Sequence, residues 1–170
     1  MYRLTTSMPY LLNRLGVRMG AMFGRRLAPY GLTLPMYRVL ASLAEQADQK
    51  LTDLSEMTVV ELSTMSRLVG AMAAKGLVTR VRLPGNERTV RINLTGKGAA
   101  LAEVLMREAQ HYEDVAIGSL KAAEVARLKR DVAKIYASLD ILERELVDVP
   151  LPTVPEKAKT PAARRLARQR

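Results

Sequence analysis

The sequence predicts a mainly α fold carrying one small β-hairpin, with helices before the hairpin and two long helices after it. Three observations predict this. Apolar residues recur every three to four positions through residues 8–75. The period falls to two between residues 80 and 94, then returns to the helical value after Gly98. The core material is aliphatic: 48% of residues are hydrophobic, 4% are aromatic, Trp is absent and Met occurs nine times. Such a core is built from adaptable side chains. A length of 170 residues suits one domain, or one domain with an appendage.

The elements follow in chain order. A helix opens near Ser7, with Pro9 in its first turn. Met8, Leu11, Leu15, Met19, Met22 and Leu27 form its apolar stripe, and Pro29, Tyr30 and Gly31 stop it. Residues 33–46 carry Met36, Tyr37, Val39, Leu40 and Leu43, a second amphipathic helix. Thr52 is placed to cap a short third helix over residues 53–57, where Asp53 suits the positive end of the helix dipole. Residues 61–75 form a fourth helix with Met65, Leu68, Val69 and Met72 as its buried stripe. Gly76 stands where a helix ends in a left-handed residue.

In the hairpin, Val81 and Leu83 alternate with Arg80 and Arg82, and Val90, Ile92 and Leu94 alternate with Arg91 and Asn93. This pattern predicts two half-buried strands with one apolar and one basic face. Pro84-Gly85-Asn86-Glu87 supplies the turn. Residues 99–117 are helical by composition, and Ser119 is the expected cap of the last helix. There Val125, Leu128, Val132, Ile135, Leu139, Leu142 and Leu146 are spaced by alternating threes and fours, a heptad seam. The seam predicts a homodimer, because a chain of this size offers few long partners; a hairpin with residues 99–117 is the alternative. Residues 147–170 contain Pro150, Pro152, Pro155 and Pro161 and close on AARRLARQR, a flexible basic tail. It either adds sequence-independent attraction to phosphates or is simply solvated.

Charge narrows the function. The net charge is +10. Residues 61–100 carry seven bases and two acids, between acid-rich neighbours over 45–60 and 101–146. Residues 1–44 carry six Arg and no acid. A polyanion, double-stranded DNA first, is the natural partner. A merely soluble basic protein is the bland reading. Zero Cys excludes disulfides and thiolate chemistry, and a single His, His111, argues against a metal site. There is no phosphate-binding glycine loop and no nucleophile motif, so no enzyme and no cofactor are expected. No apolar run approaches the ~18 residues of a membrane span. The N-terminal stretch, broken by arginines, does not read as a signal peptide. A cytoplasmic location, at the nucleoid when bound to DNA, is the default.

The order of elements resembles the MarR family of bacterial winged helix-turn-helix regulators. TMSRLVGAMAAKGLVTR (64–80) is similar to the family's recognition helix running into the first wing strand. NERTVRINLTGKG (86–98) is similar to its wing tip, second strand and the Leu-Thr-x-x-Gly start of the next helix. LTLPMYRVLASL (32–43) is similar to its second helix. The resemblance implies a winged helix-turn-helix DNA-binding lobe over 31–98 and a helical dimerisation region from 1–30 and 99–146. Two departures stand out. The family's Asp-Arg-Arg wing tip is matched by Asn86, Glu87 and Arg88, so residue 86 cannot ion-pair with Arg88. The family often places Gly before the recognition helix, where this chain has Met57-Thr58-Val59-Val60. A β-branched residue resists positive φ, so that turn is expected to be built differently.

On DNA, the N-terminal part of the second helix of a helix-turn-helix meets base edges. Ser63, Thr64, Ser66 and Arg67 can face out together, and Arg67 is the best base reader, bidentate to guanine. Arg88, beside Asn86 at the wing tip, would enter the minor groove, while Arg80, Arg82 and Arg91 suit phosphates. A dimer would bind a palindrome with half-site centres ~10 bp apart and act as a repressor, the family's commoner mode. The resemblance also implies release by a small anionic effector, aromatic or an acyl-coenzyme A thioester. Arg14, Arg18 and Met22 on the first helix, Tyr37 and Arg38 on the second and His111 on the fifth are the candidates. Met22 and Tyr37 also suit a core, and the arginines also suit a solvated face. The competing readings are a DNA-architectural protein indifferent to sequence and a protein-binding regulator using the lobe as a scaffold.

Overall fold

The computed structural model describes residues 2–83, 86–146 and 149. Helices α1 (Met8–Leu27) and α2 (Leu34–Glu45) lead to a short strand β1 (Gln49–Lys50) and helices α3 (Leu51–Thr58) and α4 (Leu62–Ala74). Strands β2 (Val78–Leu83) and β3 (Asn86–Leu94) follow, then α5 (Gly96–Ile117) and α6 (Ala122–Leu146). The sheet is antiparallel in the order β1-β3-β2. The Pro84-Gly85 turn, the Arg88 and Leu146 side chains and the proline-rich tail lie outside the described residues.

Residues 1–119 form one unit. Its core gathers Val39, Leu40 and Leu43 of α2, Leu54 of α3, and Met65, Val69 and Met72 of α4. Leu77, Val78 and Ile92 close it from the sheet side. Phe23 and Leu27 of α1 and Ala102 and Leu105 of α5 belong to the same core, so it extends past the 31–98 segment. The expected apolar stripe of α1 is buried only at its C-terminal end. Met8, Leu11, Leu15 and Met22 stay exposed, because α1 meets the core only near Phe23.

Local chemistry sets the helix ends. Thr33 accepts the Met36 N–H at the start of α2. Helix α3 begins at Leu51, two residues before the expected start, because the Lys50 N–H already donates to the Asp53 carboxylate at 3.1 Å. Thr52 therefore lies inside the helix and is not its cap. After α3, Val59 adopts φ 54°, ψ 47°. The expectation that valine would force another kind of turn is overturned. The neighbouring backbone holds it: the Val59 N–H donates to Glu56 O, the Val60 N–H donates to Ser55 O, and the Ser55 hydroxyl donates to Val60 O. Gly76 ends α4 with φ 68°, as expected.

The Leu-Thr-x-x-Gly motif has a clear mechanical basis. Thr95 caps α5 by accepting the Gly98 N–H at 2.9 Å, and its hydroxyl reaches Gly76 O at 2.7 Å. A β-carbon at Gly98 would fall 1.9 Å from Leu77 O, so only glycine lets α5 pack this closely.

The hairpin does not have one basic face. The register pairs Arg80 with Ile92, Val81 with Arg91 and Arg82 with Val90. Directly paired residues project to the same side of a sheet. Arg80 and Arg82 therefore share the face of Ile92 and Val90, while Arg91 shares the other with Val81. Alternation fixes the faces within each strand; the phase between strands depends on turn geometry, which alternation does not encode.

Helix α6 belongs to a second unit that begins at Leu120. It starts at Ala122, with the Lys121 N–H donating to Glu124, so Ser119 is not its cap. Along its seam Val125 is half-buried, and Leu128, Val132, Ile135, Leu139 and Leu142 are 40–49% exposed.

Candidate functional site

Helix α4 turns Met65, Val69 and Met72 into the core, all fully buried. The helical period then leaves Ser63, Thr64 and Arg67 outside, with Ser66 half-buried. Glu61 organises the first turn. Its carboxylate accepts the Thr64 N–H at 3.0 Å and the Ser63 hydroxyl. These bonds, the Ser63 hydroxyl foremost, hold its pKa down to about 2. Arg67 reaches back to Thr64 Oγ1 at 3.3 Å, so the two form one polar edge.

The four expected hairpin arginines are not equivalent. Arg80 extends toward α4: its Nη1 lies 3.9 Å from where a β-carbon on Gly70 would be. Gly70 is one helical turn after Arg67, so Arg80 continues the outward edge of α4. Arg82, two residues further out on the same face, is exposed. Arg91 is engaged inside the lobe. Its Nη1 donates to Asp48 O at 2.7 Å and lies 3.7 Å from the Asp48 carboxylate. Arg88, with Asn86, lies on β3 near the tip, and neither side chain is among those described.

Asp48 and Asn93 were not legible as site residues. Asp48 has φ 57°, a conformation Asp tolerates better than most residues. Its N–H donates to Asn93 Oδ1 at 2.8 Å, and Asn93 Nδ2 donates to Asp48 Oδ1 at 3.1 Å. With Arg91, this ties the α2–α3 turn to the root of the hairpin. Buried Gln49 completes the tie by donating to Ser42 O and Gln46 O at the end of α2. The sequence signal was faint: a polar Gln-Ala-Asp-Gln run beside two polar residues of a strand.

The effector candidates are partly brought together. Phe23, the neighbour of Met22, packs edge-on against Tyr37 at 4.7 Å and against Tyr112 at 5.7 Å. Tyr112 meets His111 at 6.4 Å. Burial pushes the Tyr37 phenol up, with Glu45 adding to the effect. Arg14 and Arg18 are exposed on α1. Arg38 donates to Thr58 O at 3.4 Å and so helps close α3. Phe23 and Tyr112, absent from the sequence-based set, are the links in this ring cluster. A separate shallow cleft of about 490 Å³ includes Tyr30, Leu77, Leu101, Val104, Lys75 and Lys97, and no effector candidate lines it. Among the described residues no helix is long and apolar enough to cross a membrane.

Comparison with known proteins agrees with this geometry. The MarR family model matches residues 32–90, from the start of α2 into β3. The crystal structure of a MarR family transcriptional regulator from Silicibacter pomeroyi DSS-3 is 34% identical, covers 84% of this chain and 99% of its own, and superposes with a TM-score of 0.70. The HTH-type transcriptional repressor NicR of Pseudomonas putida is 28% identical over 72% of this chain and 78% of its own. BpsR of Bordetella bronchiseptica, whose DNA binding is regulated by 6-hydroxynicotinic acid, is 25% identical, with 80% and 97% coverage and a TM-score of 0.72. Helix order, hairpin and sequence therefore agree: this chain belongs to the MarR family of transcriptional regulators.

Proposed function

We propose that this regulator is a repressor that reads a palindromic operator as a homodimer and is released by a small aromatic anion. The observation that carries DNA reading is the outward edge of α4, where Thr64, Arg67 and the guanidinium of Arg80 lie in sequence in front of a fully buried stripe. An α-helix of this kind fits the major groove, and Arg67 would discriminate guanine by ~1–3 kcal/mol. Arg82 and Arg88 would hold phosphates and the minor groove beside it. Arg91, bonded to Asp48, acts on the hairpin and not on DNA. The exposed seam of α6 supplies apolar surface for a two-fold dimer, and the exposed stripe of α1 is a second such surface.

The ring cluster of Phe23, Tyr37 and Tyr112, which His111 adjoins, supports an aromatic effector, and the exposed Arg14 and Arg18 of α1 favour an anionic one. The regulation of BpsR by 6-hydroxynicotinic acid favours the same chemistry. The ligand acts only through its different affinities for the two arrangements of the dimer. The test is selection of duplexes from a random pool at physiological salt. An enriched inverted repeat supports the proposal. Retention of DNA without enrichment refutes it and favours a sequence-indifferent, architectural role.

A further inference from the structure

Met57, Val59 and Leu62 lie within six consecutive residues at the helix-turn-helix turn, and are 54%, 78% and 44% exposed. Single exposed apolar side chains are ordinary. Their distribution here is not. Among the described residues between 31 and 98, the exposed large apolar side chains are these three and Val81 of the hairpin. The first three flank the start of α4, the helix proposed above to read DNA.

Leu62 is the first residue of α4. It continues the line of Met65 and Val69, which are 0% exposed, but projects beyond the core. Around it the polar groups are already committed. The Ser63 hydroxyl and the Thr64 N–H, its neighbours in the first turn, both donate to Glu61. The Glu61 carboxylate also disfavours a phosphate at this tip and fits better over base edges. What the tip offers freely is apolar surface. In the major groove the one base feature that such surface recognises is the C5-methyl of thymine.

We propose that Leu62 is a specificity-determining residue that packs on a thymine methyl group of the operator, with Val59 and Met57 shielding the contact from water. This rests on the base-reading function proposed above. The test uses the full chain and the duplex enriched by selection, remade with deoxyuridine at each thymine in turn. Affinities are measured at constant salt for the native protein and for Leu62→Ala. At one thymine per half-site, removing the methyl should weaken native binding about fourfold, the equilibrium effect of burying one methyl-sized group. The same replacement should leave Leu62→Ala binding unchanged. Two outcomes overturn the inference while sparing base reading: native affinity indifferent to deoxyuridine everywhere, or equal loss in the native and variant proteins. Failure to enrich any duplex overturns both. The native measurement needs no variant, so it stands whether or not Leu62→Ala folds.

Discussion

Val59→Gly should make the protein more stable, although it removes a whole side chain. Val59 sits in the left-handed region at φ 54°, ψ 47°. That conformation costs a non-glycine residue about 1–2 kcal/mol, and β-branching puts valine at the upper end. Glycine offsets part of the gain, about 0.5–1 kcal/mol, through its freer unfolded chain. The side chain is 78% exposed, so truncation forfeits only about a fifth of the ~1.5–3 kcal/mol that full burial would contribute. The net expectation is a gain of roughly 0.5–1 kcal/mol, or a Tm higher by about 2–5 °C for a unit of this size. Thermal unfolding followed by circular dichroism reads the shift. Val59→Ala is the control: it removes the branching but keeps the β-carbon, so it should gain less than Val59→Gly. If Val59→Gly melts no higher than Val59→Ala, the strain account is wrong.

Four further outcomes follow from the same geometry. The Glu61 carboxylate has a folded pKa of about 2, below its ordinary value of 4.5, so its stabilising effect is present above pH 4.5 and lost as pH falls toward 2. Melting curves of the native protein and Glu61→Gln should converge across that window; a constant gap would refute the assignment. Gly98→Ala should cost about 3 kcal/mol or prevent folding, because its β-carbon meets Leu77 O at 1.9 Å; denaturant unfolding at near-native stability would contradict the close approach. Asp48→Gly should lose about 1 kcal/mol, one hydrogen bond and an exposed ion pair, whereas Asp48→Ala should lose about 2 because it also strains φ 57°; the reverse order in urea titrations would count against the clamp. Leu139→Glu, in the exposed seam of α6, should convert the proposed dimer to monomer by light scattering, and an unchanged dimer mass would remove α6 from the interface.

What the sequence could and could not convey follows from how far each signal reaches. Helix identity was legible because it is written in local periodicity: Met65, Val69 and Met72 lie in the core as their spacing requires. Gly76 was legible because a left-handed helix end leaves few substitutes, whereas Gly98 was legible only as part of the Leu-Thr-x-x-Gly resemblance, its close approach to Leu77 being a contact between elements. Helix starts were less so. Asp53 and Glu124 each reach back to the N–H three residues before, and each set a start later or earlier than the nearest Thr or Ser suggested. The faces of the hairpin were beyond reach, since the Arg80–Ile92 register is a relation between strands. The Asp48–Asn93 tie spans 45 residues and uses residue types that are common in any loop.

That tie bears on how a lobe with an altered wing tip can still read DNA. Asn86 cannot ion-pair with Arg88, so the tip has lost one means of holding the wing. The root has another. Arg91, Asn93 and Asp48 fasten β3 to the α2–α3 turn, and Gln49 fastens that turn to the end of α2. A strand held at its root fixes the direction in which the hairpin leaves the lobe. It thereby fixes the approach of Arg80 to Gly70 on α4, so hairpin and reading helix are positioned as one body. Splitting the arginines between faces is what permits this division of labour. Those on the Ile92 face remain available to a polyanion, while the one on the Val81 face is bound internally, where its partly buried charge is matched by Asp48.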